Sequence, residues 1–167
     1  MNLALFASHR HRDYNAPERV LSMPWRRSRL HQSWLMLTLA LTLHVAEGAV
    51  RDYLSFYNPL AMSLRDMMLW TWMPTFTFAA WLGGWIAILA VLYGMAWFAA
   101  YPAWWMVWAS IAYAELMFLY AAAKLGFALY LEKAIPGVYT APLLVAASGW
   151  LTLEAIHALR PPRRPAA

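Results

Sequence analysis

Four stretches of this chain, at about residues 31–50, 73–99, 103–131 and 139–159, run for a membrane's thickness with hardly a charge among them. As a helix, a run of about 20 apolar residues crosses roughly 30 Å of hydrocarbon. No water is available there, so a helix must satisfy its own backbone N–H and C=O groups. The composition agrees: 63% of the 167 residues are hydrophobic and 13% charged, against about 45–50% and 25% in a soluble domain. The expected fold is all-α, an integral membrane bundle of four transmembrane helices.

Orientation follows from where the charge lies. Of the 13 Lys and Arg, Arg10, Arg12, Arg19, Arg26, Arg27 and Arg29 precede the first apolar run, and Arg160, Arg163 and Arg164 follow the last. The outer connections hold Arg51, Arg65 and Lys133, each near an acid. Basic residues flanking spans stay on the cytoplasmic side, so both termini are expected in the cytoplasm. The net charge of +5 therefore reads as a topology signal, and nucleic acid is not an expected partner. The absence of cysteine excludes disulfides, Cys-ligated zinc and iron–sulfur sites.

The organisation is then a basic tail over 1–30, a membrane domain over 31–159 with an outer interfacial loop at 51–72, and a basic tail over 160–167. The N-terminal segment has too short an apolar start and too many Arg for a secretory signal and is expected as a cytoplasmic tail. In the outer loop, LAMSLRDMMLW is expected as a short surface helix introduced by an Asn58-Pro59 turn. The connection FAAYPAW, turned by Pro102, should make spans two and three a tight antiparallel hairpin. Trp70 and Trp72 at the outer side, and Trp97, Trp104 and Trp105 at the inner side, are belt positions. Trp81, Trp85, Trp108 and Trp150 lie deeper and read as packing or lipid-facing. Ala122 with Gly126, and the AASG of 146–149, are candidates for close helix approach.

Charged groups at membrane depth are costly, so each is a candidate for function. His44, Glu47 and Arg51 stand at i, i+3 and i+7, one face of one helix. Counted from Ser33 and Ala103, His44, Glu47 and Glu115 fall roughly 16–21 Å into the membrane, and Lys124 roughly 31 Å in, at the outer edge with Arg51, Asp52 and Glu132. Tyr113, Tyr120 and Lys124 make a further stripe at i, i+7 and i+11. Two carboxylates and an imidazole converging on one pocket can bind a divalent metal or handle protons for a lipophilic substrate. Otherwise the same groups act as contacts between helices. The pattern HVAE on span one with EAIH on span four mimics the ligand spacing of di-iron bundles, but His157 belongs to the inner edge, near Glu154 and Arg160.

HVAEG at the end of span one, the FYNP beyond it and IPGVYTAPLL before span four resemble the bacterial HXXEE-domain proteins, four-helix membrane proteins with a His-x-x-Glu-Glu signature. The resemblance covers approximately residues 33–158. It implies a multi-pass protein of the bacterial inner membrane with a polar site at His44 and Glu47. The second acid of the signature falls on Gly48, and a histidine of the family's third span corresponds to Lys124, so a metal set would be weakened. In IPGVYTAPLL, Pro136 and Gly137 turn the chain, and Thr140 is placed to cap the fourth helix before Pro142.

Two functional readings follow. One is an intramembrane pocket with acid–base chemistry, metal binding or lipophilic-ligand binding at His44, Glu47 and Glu115, with Arg51, Asp52 and Lys124 as an outer polar stripe. The other is a non-catalytic accessory subunit whose polar residues join helices. Membrane lipids, a lipophilic small molecule, a partner membrane protein or a second copy are the expected partners. A transporter is disfavoured, since four spans without repeats make a thin permeation path.

Overall fold

The structure is a computed structural model and describes residues 24–68, 73–101 and 103–160. Trp70, Trp72, Pro102 and most of both basic tails lie outside the described residues, as do the side chains of Arg26 and Arg27. The described chain is helical: α1 (Pro24–Val50), α2 (Tyr53–Met68), α3 (Phe78–Ala100), α4 (Trp104–Leu131) and α5 (Ala141–Leu159). Four helices are long and apolar enough to cross a membrane, over Arg29–Val50, Phe78–Ala100, Trp104–Leu131 and Ala141–Leu159. The protein is thus a multi-pass membrane protein.

α1 is the central helix, packed along its length against α3 on one side and α5 on the other, and α4 packs mainly against α5. Side chains of α1 tie it to the α3 backbone: Trp34 Nε1 donates to Leu92 O at 2.9 Å, and His31 Nδ1 bonds Ala96 O at 2.8 Å. The α4–α5 seam is small and heptad-spaced. Ala114, Ala121 and Ala128 are buried on α4, and Leu144, Ser148, Leu151, Ala155 and Ala158 on α5. Small side chains let backbones approach where no hydrophobic force joins helices in lipid. Ser148 and Ser110 satisfy themselves by donating to the carbonyl four residues back, at 2.8 Å each.

Several expectations about packing are corrected. Ala122 and Gly126 are exposed, because the packed face of α4 is set one position earlier, at Ala121. Spans two and three do not form a packed hairpin. Their turn is short, and Phe98 and Trp105 rings meet there at 5.9 Å, but the helices then diverge, since α3 follows α1 and α4 follows α5. The result is a cleft between α3 and α4.

The outer loop also differs. α2 begins at Tyr53, immediately after a left-handed Asp52 (φ 50°), and Pro59 lies inside it rather than at a turn. The Asn58 side chain explains the rigid crossing: its Nδ2 donates to Phe76 O at 3.0 Å while its Oδ1 accepts from Phe76 N at 3.1 Å. Tyr57 donates to Pro74 O at 3.2 Å, and Arg65 to Met73 O. These bonds hold residues 73–77 on α2 and deliver the chain to α3, where the Thr77 hydroxyl caps by accepting from Ala80 N.

Candidate functional site

A polar chain joins α1, α4 and the start of α5 near the outer end of the bundle. Glu47 sits against the N-terminus of α5, where the first backbone N–H groups have no partner within the helix. Its Oε2 accepts from Thr140 N at 2.9 Å and from the Thr140 hydroxyl at 2.7 Å. Its Oε1 accepts from Gly137 N at 3.1 Å and Tyr139 N at 3.4 Å. A carboxylate at a helix N-terminus is favoured by the helix dipole as well. Thr140 holds the cap position but makes no capping bond with its own side chain; Glu47, 93 residues earlier, does that work.

The remaining links follow from counting protons. The Thr140 hydroxyl has one hydrogen, given to Glu47, so it accepts from His44 Nδ1 at 2.9 Å. His44 Nδ1 is therefore the protonated nitrogen, and Nε2 presents a lone pair. Lys124 Nζ donates to that lone pair at 2.9 Å and to Pro136 O at 3.3 Å. The imidazole is neutral, since an Nε2–H would point at the ammonium. Every donor points one way, from Lys124 through His44 and Thr140 to Glu47, with a positive charge at one end and a negative one at the other.

Aromatic rings enclose the ammonium. Lys124 Nζ lies 4.6 Å from the centroid of Tyr53 and 5.0 Å from that of Tyr120, both cation–π distances. Tyr120 also meets His44 edge-on at 5.4 Å. Gly137 closes the far side in a left-handed conformation (φ 93°), where a Cβ would come within 2.6 Å of Lys124 Nζ and 2.7 Å of His44 Cε1. Only glycine fits both that backbone and that gap. Arg51 makes a longer contact with Glu47, 3.7 Å, and stacks over Tyr139 at 4.3 Å.

In front of Tyr53 and Tyr120 lies a cavity of about 310 Å³. Its walls come from α2 (Tyr53, Tyr57), from Phe76, from α3 (Ala80, Trp81, Gly84, Trp85, Ile88) and from Tyr120 of α4. Gly48 backs one wall: a Cβ there would lie in van der Waals contact with the Trp81 ring at 3.4 Å and with Tyr53 Cβ at 3.6 Å.

The expected set of His44, Glu47 and Glu115 is not assembled. α1 and α4 run parallel, with Trp34 against Tyr113 (ring centroids 4.9 Å apart) and His44 bonded to Lys124. That register puts Glu115 level with Met36, roughly 12 Å short of His44. Glu115 instead accepts from Thr152 at 3.2 Å at an exposed edge. Depth counted from Ser33 put His44 and Glu47 too near the middle and so level with Glu115, because α1 begins at Pro24. Among the described residues no three His, Asp or Glu side chains group as metal ligands. The outer stripe divides too: Lys124 belongs to the polar chain, Arg51 to its rim, and Asp52 accepts from Ser55. Glu154 pairs with Arg29 near the start of α1 at 3.6 Å, far along the bundle from Glu47.

Thr140, Gly137, Tyr53 and Tyr120 are site residues that sequence reasoning missed. IPGVYTAPLL carried the signal for the first two, and the Tyr113, Tyr120 and Lys124 stripe for the last. The class defined by fold and site is a multi-pass helical membrane protein with a partly buried Lys–His–Thr–Glu chain beside an aromatic cavity. Comparison with protein-family models, with curated proteins and with solved structures finds no match.

Proposed function

We propose that the protein binds a lipophilic molecule in the outer half of the bundle, and that the Lys124–His44–Thr140–Glu47 chain fixes a positive charge behind the binding cavity. One observation carries this reading: the two rings that cover the Lys124 ammonium, Tyr53 and Tyr120, are also walls of the cavity. The ammonium lies 4.6 and 5.0 Å from the two ring centroids, and a nearby cation strengthens a phenol hydroxyl as a donor to a ligand. A hydrogen bond to a bound oxygen is what such a wall supports. The volume lies at the small end of ligand sites, and the mostly apolar lining with a few polar groups is typical of them.

The HXXEE resemblance at His44 and Glu47, and the Arg-rich flanks, support a bacterial inner-membrane location with both termini in the cytoplasm. At the place of the signature's second acid stands Gly48, against which Trp81 and Tyr53 pack. A second reading, an accessory subunit, is favoured by Glu47: its bonds to three backbone N–H groups hold the bundle together whatever is bound. Purification in mild detergent followed by mass spectrometry of bound small molecules separates the two. A lipophilic compound enriched over bulk lipid in wild type and depleted in Gly84→Leu is expected. A Cβ at Gly84 meets nothing within 4 Å, so this substitution fills the cavity without disturbing the fold. Equal lipid content in both proteins, with a membrane protein co-purifying stoichiometrically, would establish the accessory reading instead.

A further inference from the structure

Resting on that reading, the chemistry of the cavity wall narrows the ligand. Six of the lining residues are aromatic (Tyr53, Tyr57, Phe76, Trp81, Trp85 and Tyr120), and none is charged. Tyr53 stacks with Tyr57 at 5.7 Å and Tyr57 with Phe76 at 6.0 Å, forming a graded aromatic wall, and Trp81 adjoins Tyr53 at 5.7 Å. Opposite them, Ala80 and Gly84, one turn apart on α3, leave a slot without a side chain. Such a slot suits a flat ring better than a flexible acyl chain, because stacking adds to simple area burial.

The side-chain polar groups of the lining are phenol and indole groups, all of which can donate. Among the described residues neither the Tyr53 nor the Tyr120 hydroxyl has a hydrogen-bond partner, whereas that of Tyr57 is committed to Pro74 O. Burial pushes the Tyr53 phenol pKa up, with Tyr57 adding to the shift, so Tyr53 keeps its proton. Lys124 is not itself on offer, since His44 Nε2, Pro136 O and the two ring faces occupy it. A ligand anion would lack a free cation to pair with, while a neutral oxygen acceptor would meet two unspent hydroxyls.

We infer that the cavity takes the head of a lipid-soluble carbonyl compound, a flat uncharged system of one or two rings such as a quinone, stacked on the aromatic wall with an oxygen accepting from Tyr53 and Tyr120. A cavity at the lower limit of ligand sites holds one or two rings but not a four-ring steroid.

The test is quenching of tryptophan fluorescence in detergent-purified full-length protein by a benzoquinone carrying a decyl tail, since Trp81 and Trp85 line the slot. Saturable quenching is expected, displaced by a naphthoquinone but not by decanol, decanoic acid or a steroid ketone. The double substitution Tyr53→Phe with Tyr120→Phe should weaken binding about tenfold, the effect of one to two hydrogen bonds, with unchanged thermal stability. Gly84→Leu should abolish saturation. If decanol or decanoic acid competes as well as the naphthoquinone, the cavity holds an acyl chain only and the ring assignment is overturned, while ligand binding stands. Selective co-purification of some other compound, with no saturable quenching by either quinone, also overturns this inference alone. Quenching that never saturates and is identical in Gly84→Leu, with no compound enriched on purification, overturns the inference and the reading beneath it.

Discussion

The carboxylate of Glu47, in the outer half, accepts from three backbone N–H groups and one hydroxyl, whereas that of Glu115, in the inner half, accepts from the single hydroxyl of Thr152. Both are glutamates on long apolar helices, and by depth and cost they read alike in the sequence. The difference lies in what faces them. Glu47 meets the start of α5, where helix geometry leaves donors unspent, and Glu115 meets the side of a finished helix whose backbone is already paired. In a membrane, a carboxylate becomes part of a site where another element has donors left over.

That comparison can be broken by substitution, and Glu47→Gln is expected to do most damage. The amide has one acceptor oxygen and would turn its NH₂ toward N–H donors, leaving the charged Lys124 end without its counter-charge. A hydrogen bond to a charged group is worth about 1.5–3 kcal/mol, and several would weaken at once, so thermal unfolding in detergent should shift sharply downward. A shift as small as that of a surface mutant would mean the carboxylate is not the latch between α1 and α5. Gly137→Ala comes next. Its left-handed backbone costs about 1–3 kcal/mol for a side chain, and the new methyl would push Lys124 and His44 apart. Loss of stability together with loss of ligand retention is expected; unaltered retention would show that the imidazole–ammonium contact is dispensable.

Lys124→Met should cost less, about 1–3 kcal/mol for the unpaired His44 Nε2 and Pro136 carbonyl, because methionine refills the volume. It should nevertheless reduce ligand retention more than its stability loss explains, since the phenols lose the charge behind them. Glu115→Gln should lie within about 0.5 kcal/mol of wild type, as an exposed side chain with one weak bond. A large effect there would return Glu115 to the site and erase the contrast between the two halves.

The four spans were legible because apolar length is a direct consequence of bilayer thickness, and His44 and Glu47 stood out because charge at that depth is rare. Their partners were not legible in the same way. Thr140 and Gly137 read locally as a cap and a turn, and only the folding of α5 against α1 turns that cap into the receptor for Glu47. His44 and Glu47 read as mid-membrane by counting from the wrong zero: the start of α1 at Pro24 is hidden in the sequence by the charges of WRRSRL, which a helix extends through without difficulty, whereas the count to Lys124 along α4 starts where that helix does. The cavity was the least visible feature. It exists because α3 and α4, joined by a short turn, pack on different neighbours, a choice made by Ala121 rather than Ala122 facing α5. No periodicity short of the assembled bundle reveals that.

The most direct test of the directional chain is the protonation of His44, read by ¹⁵N NMR of histidine-labelled protein in bilayers at neutral pH, with His44→Gln identifying its signals. The donor order from Lys124 to Glu47 predicts a neutral imidazole carrying its proton on Nδ1, with an unprotonated Nε2 that loses its hydrogen-bond signature in Lys124→Met. A proton on Nε2, or a doubly protonated ring, would contradict it.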